Sequence, residues 1–283
     1  MLNLTAKRTL AESDKPLYWP LIPSSTLSSP SLRPEIEVTR HKVYLRNLPS
    51  TFQNLRIVHL TDIHHSKYVS FNAVYRMVAL TNRLRPDLVV LTGDYITWSK
   101  KYILPVCEAL KDLRSRLGVF AVLGNHDVRV DAEGISNSLE RVGIRVLRNT
   151  STRIGHGQQS LYVVGVDEYS YGQSDLDKAL QGIPESTPRI LLAHNPEIIA
   201  HAAARDIDFI AAGHTHGGQV KLPYLRSLNN FTQPNQEFLE GFVSVRNTQM
   251  YISRGLGKVI VPLRIKCPPE LPVYSLRNLS NRF

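Results

Sequence analysis

Five short apolar runs, each ending in a polar cluster, constrain this chain more than any other feature. Ile57-Val58-His59-Leu60-Thr61 leads into Asp62-Ile63-His64, Leu88-Val89-Val90-Leu91-Thr92 into Gly93-Asp94, and Val119-Phe120-Ala121-Val122-Leu123 into Gly124-Asn125-His126-Asp127. Ile190-Leu191-Leu192-Ala193 leads into His194, and Phe209-Ile210-Ala211-Ala212 into Gly213-His214-Thr215-His216. Short continuous apolar runs closed by turn formers read as strands buried on both faces. Polar residues at the carboxyl ends of such strands converge in the crevice beyond the sheet edge, where rigid strands fix them and loops leave room for a ligand.

The segments between these runs alternate in period. Glu35 to Leu45 and Leu55 to Thr61 read as strands, and Phe71 to Leu84 has helical spacing through Val74, Met77, Val78 and Leu84. Asp87 to Thr92 and Gly118 to Leu123 read as strands, Ile103 to Arg116 and Asp131 to Val142 as helices, and Ile144 to Leu147 as a strand. Thr150 to Ile154 and Ser160 to Val166 suggest a hairpin. Asp175 to Leu180 and Pro196 to Ala204 read as helices, Arg189 to Ala193 and Ile207 to Ala212 as strands. Gly241 to Val245, Gln249 to Ser253 and Pro272 to Leu276 look antiparallel and close the domain. The pattern predicts an α/β fold of two face-to-face sheets with helices outside them, a four-layer αββα sandwich. With 283 residues and no internal repeat, one domain over 35–283 is expected, preceded by an N-terminal arm or linker over 1–34.

The polar clusters supply carboxylate, imidazole and amide oxygen donors, the set that holds a pair of adjacent divalent cations. Asp62 and His64 reach one cation if the chain turns at the strand end, and Asp94 is the natural bridge between two. Asn125 offers a neutral amide oxygen; His194, His214 and His216 offer ring nitrogens. Mixed nitrogen and oxygen donors suit Mn, Fe, Zn or Co better than Mg or Ca. Taken singly, an Asp at a strand end is an ordinary cap, Asn125 a turn residue, and alternate histidines a polar sheet edge. Five clusters in one chain, each after a buried strand, favour a site. Gly93, Gly124 and Gly213 beside them permit tight turns or close backbone approach.

The formal net charge of +10 favours anionic partners in general. The Lys and Arg residues are scattered, and no helix-turn-helix, finger or RNA-module signature accompanies them, which ranks nucleic acid low. Cys107 and Cys267 form neither a disulfide framework nor a zinc pattern, pointing to a reducing, cytoplasmic setting. No apolar run is long enough to span a bilayer, although a native anchor missing from the sequence would leave the same picture. Leu17, Tyr18, Trp19, Leu21 and Ile22 are apolar for a free tail and suit packing on the domain or contact with the inner membrane from its surface.

Taken in order, Asp62-x-His64, Gly93-Asp94, Gly124-Asn125-His126-Asp127, His194 and Gly213-His214-x-His216 closely resemble the motifs of the calcineurin-like metallophosphoesterase family, over roughly Leu55 to Arg254. The resemblance implies a metallo-dependent phosphatase-like fold with two divalent metal ions, manganese first among the candidates. It implies one ion on Asp62, His64, Asp94 and His216 and the other on Asp94, Asn125, His194 and His214. Catalytic roles fall to His126, near the leaving oxygen, and to Asp127, orienting it or capping a helix or loop. Ser66 stands where many relatives carry glycine. Asn125, His65, Arg129, Arg254, Arg264 and Lys266 are the candidate substrate contacts, with a loop role for His65 and solvated surface charge for the basic residues as the plainer readings.

Gly217-Gly218-Gln219 and the tail from Ser253 to Glu270 resemble a branch of membrane-associated bacterial phosphohydrolases, some of which cleave UDP-2,3-diacylglucosamine in lipid A synthesis. The insertion Leu222 to Phe242, with Tyr224, Leu225, Leu228, Phe231, Phe238 and Leu239, either lines an acyl-chain site or packs a long loop. A lipid-linked nucleotide at an anionic membrane surface is the sharper substrate expectation, and a phosphorylated small molecule the broader one. A broad phosphodiesterase or nuclease and a noncatalytic metal-binding scaffold are the alternatives; oligomeric state is open.

Overall fold

The computed structural model describes residues 17–18, 36–157, 159–170, 174–221 and 238–282. Its first sheet has seven strands in the order β1-β2-β13-β3-β4-β5-β6. These are β1 (Leu17–Tyr18), β2 (Glu37–Leu45), β3 (Arg56–Leu60), β4 (Leu88–Thr92), β5 (Val119–Val122), β6 (Arg145–Val146) and β13 (Glu270–Asn278). The second sheet has six, ordered β11-β12-β10-β9-β8-β7. They are β7 (Thr150–His156), β8 (Gln159–Gly165), β9 (Arg189–Leu192), β10 (Phe209–Ala212), β11 (Gly241–Val245) and β12 (Thr248–Ile252).

Side-chain alternation assigns the layers. Val58, Leu60, Val89, Leu91 and Ala121 face α1 (Phe71–Arg83), α2 (Ile103–Leu110) and α3 (Asn125–Arg141). Ile57, Leu88, Val90, Phe120 and Val122 point the other way and pack against Leu161, Val163, Ile190, Leu192 and Phe209 of the second sheet. Leu191, Ile210 and Ala212 on that sheet's far side meet α4 (Leu176–Leu180) and α5 (Ile199–Ala203). Strands with apolar residues on both faces can be buried only between two such layers, so the expected αββα sandwich is the architecture found.

Several boundaries and directions differ from expectation. Helix α2 stops at Leu110 rather than Arg116, giving way to a turn at Lys111. Helix α3 begins at Asn125, inside the motif, and is interrupted at Asp131, whose φ of −175° is extended backbone. Asp131 Oδ1 then accepts the Gly134 N–H at 2.9 Å, capping the second segment where the sequence alone placed a helix start. The closing strands are not simply antiparallel: β12 runs parallel to β10, and β13 runs parallel to β2 and antiparallel to β3.

Of the expected arm 1–34, only Leu17–Tyr18 is described, as a strand paired with Glu37 and Val38; Trp19, Leu21 and Ile22 lie outside the described residues. So do residues 222–237 of the expected apolar insertion, which include Leu222, Tyr224, Leu225, Leu228 and Phe231. Phe238 and Phe242 are described and pack on the domain, against the second sheet's outer cluster and the inter-sheet cluster respectively. No helix of the described residues is long and apolar enough to cross a membrane.

Candidate metal centre and active site

Strands β3, β4 and β5 run parallel to one another, as do β8, β9, β10 and β12, so their carboxyl ends deliver the motifs to shared edges. The chain then leaves regular geometry. Asp62, His64, Asp94, His214 and His216 all have positive φ, between 50° and 73°, a region that non-glycine residues rarely occupy. The backbone folds back at each strand end, and the strain is held by surrounding structure, a pattern typical of functional sites.

These turns bring the donors together. Asp94 Oδ2 lies 3.3 Å from His64 Nε2 and 3.4 Å from His194 Nε2. On one side, His216 Nε2 is 3.0 Å from His64 Nε2 and 3.4 Å from Asp62 Oδ1. On the other, Asn125 Oδ1 is 3.0 Å from both His194 Nε2 and His214 Nδ1, which are themselves 3.1 Å apart. All seven candidate metal ligands therefore meet, in two groups joined at Asp94. A single oxygen, Oδ2, faces both groups, because Oδ1 is occupied by the His126 N–H at 2.9 Å.

Neighbouring groups fix the ligands' orientations. His194 Nδ1 donates to the Thr92 carbonyl at 2.7 Å, which leaves the Nε2 lone pair for the centre. The Thr61 hydroxyl donates to Asp62 Oδ2 at 2.9 Å, and the His214 N–H donates to the same oxygen at 3.0 Å. Glycine is required beside both carboxylates: a Cβ on Gly124 would sit 2.2 Å from Asp94 Oδ1, and one on Gly213 would sit 2.4 Å from Asp62 Oδ2.

The electrostatics show why cations belong here. Asp62 and Asp94 are fully buried close to four imidazoles. Burial raises the Asp62 carboxyl, whereas Asp94, despite burial, is held well below the usual carboxylate range by His194 and His64. Burial alone would lower His194, yet Asp94 and Asp62 push it up to about 10. Burial and neighbouring imidazoles take His214 down to about 3 and His216 well below its ordinary value. The pocket demands positive charge beside its carboxylates while keeping two imidazoles neutral as donors, and bound divalent cations satisfy both requirements.

His126 stands at the mouth, its ring centroid 4.9 Å from that of His64. Its Nδ1 donates to the Thr97 carbonyl at 2.8 Å; the exposed Arg129 guanidinium, 3.1 Å from the same nitrogen, competes for it as the weaker partner. Of the two roles expected for Asp127, orienting His126 or capping, the structure shows the cap. The buried Asp127 carboxylate accepts the N–H groups of Asp94 at 2.7 Å, Tyr95 at 2.9 Å and Gly124 at 2.9 Å, clamping the Gly93-Asp94 turn to the start of α3.

The expected substrate contacts are mostly committed elsewhere. His65 is buried, with Nδ1 bonded to the Val69 carbonyl at 2.7 Å and its ring against Tyr102, a loop anchor rather than a substrate contact. Arg254 is ion-paired to Glu37 at 2.6 Å and Glu270 at 3.3 Å. Arg264 points inward and donates to the carbonyls of Gly257 at 2.8 Å and Arg254 at 2.8 Å, with Nη2 3.3 Å from His216 Nδ1. Both are internal clamps, which removes them from the phosphate-binding set. Lys266 is exposed, and Arg129 reaches His126 from solvent. Thr61, Thr92 and Thr97 were missed by sequence reading, although threonine directly before Asp62 and before Gly93 was a visible signal.

The family model for calcineurin-like phosphoesterases matches residues 55–218, which contain all seven candidate metal ligands. The chain belongs to this family. It is 29% identical over 253 residues to the metallophosphoesterase YkuE of Bacillus subtilis, covering 87% of each chain. It is 29% identical over 245 residues to the phosphodiesterase YaeI of Escherichia coli, covering 85% of this chain and 88% of the relative. A transmembrane protein with metallophosphoesterase domain from Danio rerio is 31% identical over 245 residues, covering 81% of this chain but 55% of that relative. This calcineurin-like phosphoesterase is a metal-dependent enzyme with a divalent-metal site in its Asp and His cluster.

Proposed function

We propose that this phosphoesterase hydrolyses phosphodiester bonds at a dinuclear centre. The placement of Asp94 Oδ2 between His64 Nε2 and His194 Nε2 carries the reading. Asp62, His64, Asp94 and His216 would hold one cation, and Asp94, Asn125, His194 and His214 the other. The mixed nitrogen and oxygen donors suit manganese, iron, zinc or cobalt, and the family resemblance puts manganese first among them. When bound, the cations supply Lewis-acid stabilisation of charge on the phosphoryl oxygens.

The protein's own groups provide the rest. With Nδ1–H donated to Thr97, His126 has Nε2 available to carry the proton that a departing oxygen needs. Burial lowers its pKa, which makes the protonated ring a stronger acid. Asp127 keeps the Asp94 turn in register, and Thr92 keeps the His194 ring in its ligating tautomer. The phosphodiesterase name of the Escherichia coli relative agrees with the diester substrate class.

Cleavage of a lipid-linked nucleotide pyrophosphate such as UDP-2,3-diacylglucosamine is the narrower reading. Its support is the net charge of +10 and the apolar sequence of the 222–242 segment. Assays with Mn²⁺ on bis-p-nitrophenyl phosphate, UDP-2,3-diacylglucosamine and single-stranded DNA test these readings together. Turnover of the simple diester supports the proposal, and preference for the lipid nucleotide supports the narrower one. Metal binding without hydrolysis of any of the three would indicate a scaffold.

A further inference from the structure

We propose that the rim around the metal-centre mouth docks on the surface of an anionic phospholipid bilayer. Among the described residues, the exposed large apolar side chains all lie in segments that follow the carboxyl ends of strands. Phe71 and Tyr75 come after β3, Trp98 and Leu104 after β4, and Ile260 and Leu263 after β12, as does Tyr169 after β8. That is the edge bearing Asp62, Asp94 and His194; the opposite edge has no counterpart among the described residues. Single exposed apolar residues are ordinary, whereas their segregation to one edge marks an interaction surface.

The shoulder formed by the start of α1 and the start of α2 is the densest part. Trp98 is 51% and Leu104 68% exposed, although Tyr95, Ile96 and Thr97 just before them are buried. The anchored backbone presents Trp98 to solvent in a fixed position, so little ordering entropy is lost when it is covered. Tyr68 and Trp98 meet edge to face at 6.4 Å, Lys67 Nζ lies 4.8 Å from the Tyr68 ring centre, and Lys101 Nζ lies 5.0 Å from that of Tyr102.

Charge selects the occupant. On the rim side, residues 65–76 and 95–107 contain Lys67, Arg76, Lys100 and Lys101 and no Asp or Glu. Lys100 is paired with Asp131 at 2.9 Å, and Lys67 and Lys101 are exposed beside aromatic rings. Tryptophan and tyrosine with adjacent lysine form the composition that settles at the headgroup level of an anionic leaflet. Leu104, Ile260 and Leu263 add aliphatic surface that inserts among acyl chains but offers no face on which a nucleobase could stack. The inference does not depend on the reaction, because binding can be read without turnover.

Sedimentation of the whole chain with phosphatidylcholine vesicles, with and without phosphatidylglycerol, tests it. The wild type should pellet with the anionic vesicles and be released by salt. Trp98→Ser with Leu104→Ser, and separately Lys67→Gln with Lys101→Gln, should each lower partitioning about tenfold at unchanged melting temperature. With Trp19 replaced by Phe, the fluorescence of Trp98 should shift to the blue on binding. A wild type that stays in the supernatant, or double variants that partition like it, would overturn the proposal. So would single-stranded DNA binding that these variants abolish without any vesicle binding, or a concentration-dependent dimer that the same substitutions dissolve.

Discussion

Asp127 Oδ2 accepts the backbone N–H of Asp94 at 2.7 Å, so the residue that joins the two halves of the metal centre is positioned by a carboxylate 33 positions away. Burial and the Asp94 charge push the Asp127 carboxyl up to about 8, against the pull of the N–H groups it accepts. Asp127→Asn replaces one accepting oxygen by a donor amide that faces these N–H groups. The account expects a loss of about 1–3 kcal/mol in urea denaturation and metal affinity weakened about 10–100-fold in calorimetry. Unchanged metal affinity would show that the clamp is not needed to place Asp94.

His126 should behave differently from the ligands. Its ring is held by the Thr97 carbonyl at the mouth, so His126→Ala is expected to cost about 10²–10⁴-fold in turnover while metal content stays at the wild-type level. Loss of metal in proportion to activity would reassign His126 as a ligand, a position its closeness to His64 and Asp94 also permits.

Gly124→Ala should act through Asp94 alone. The new Cβ would stand 2.2 Å from Asp94 Oδ1 and 2.5 Å from its backbone nitrogen, closer than any real contact, so either the turn or the carboxylate must shift. Metal stoichiometry and activity should fall together. Gly143→Ala is the control: its φ of +83° makes alanine strained, but a Cβ there meets nothing within 4 Å. That variant should lose about 1 kcal/mol of stability and keep its metal.

The acid limb of stability should report His41, on β2. Its ring is packed among Phe242, Tyr251 and Tyr274 with both nitrogens lacking a hydrogen-bond partner. Burial lowers it to about 4, with Glu270 raising and Arg254 lowering it further. The unfolded chain therefore takes up a proton near pH 6.5 that the fold refuses until about pH 4. This contribution is fully present above pH 6.5 and is lost progressively as pH falls toward 4, by up to about 3 kcal/mol. Urea denaturation at pH 5 and pH 7.5 should differ less in His41→Phe than in the wild type; equal differences would remove His41 as the cause.

What the sequence discloses and what it withholds follow from the range of each interaction. The five strands and their ligands were legible because each apolar run and its motif are adjacent in the chain, and the end of a strand is a local event. The direction of β12 and β13 was not, since Ile252 pairs with Ala212 and Glu270 with Glu37, partners that only the assembled sheets supply. Arg254 and Arg264 looked like substrate contacts because a sequence shows charge without depth. Glu37, 217 positions from Arg254, is what makes that guanidinium an internal clamp. The positive φ of Asp62, His64 and Asp94 left no mark in composition at all, because the residues that permit it surround them in space.

Metal content per chain, measured on protein reconstituted with Mn²⁺ and freed of excess metal, tests the central claim most directly. The wild type should hold about two equivalents, His64→Ala and His214→Ala should each lose one, and Asp94→Ala should lose both. One equivalent in the wild type, or two retained by Asp94→Ala, would contradict the dinuclear centre.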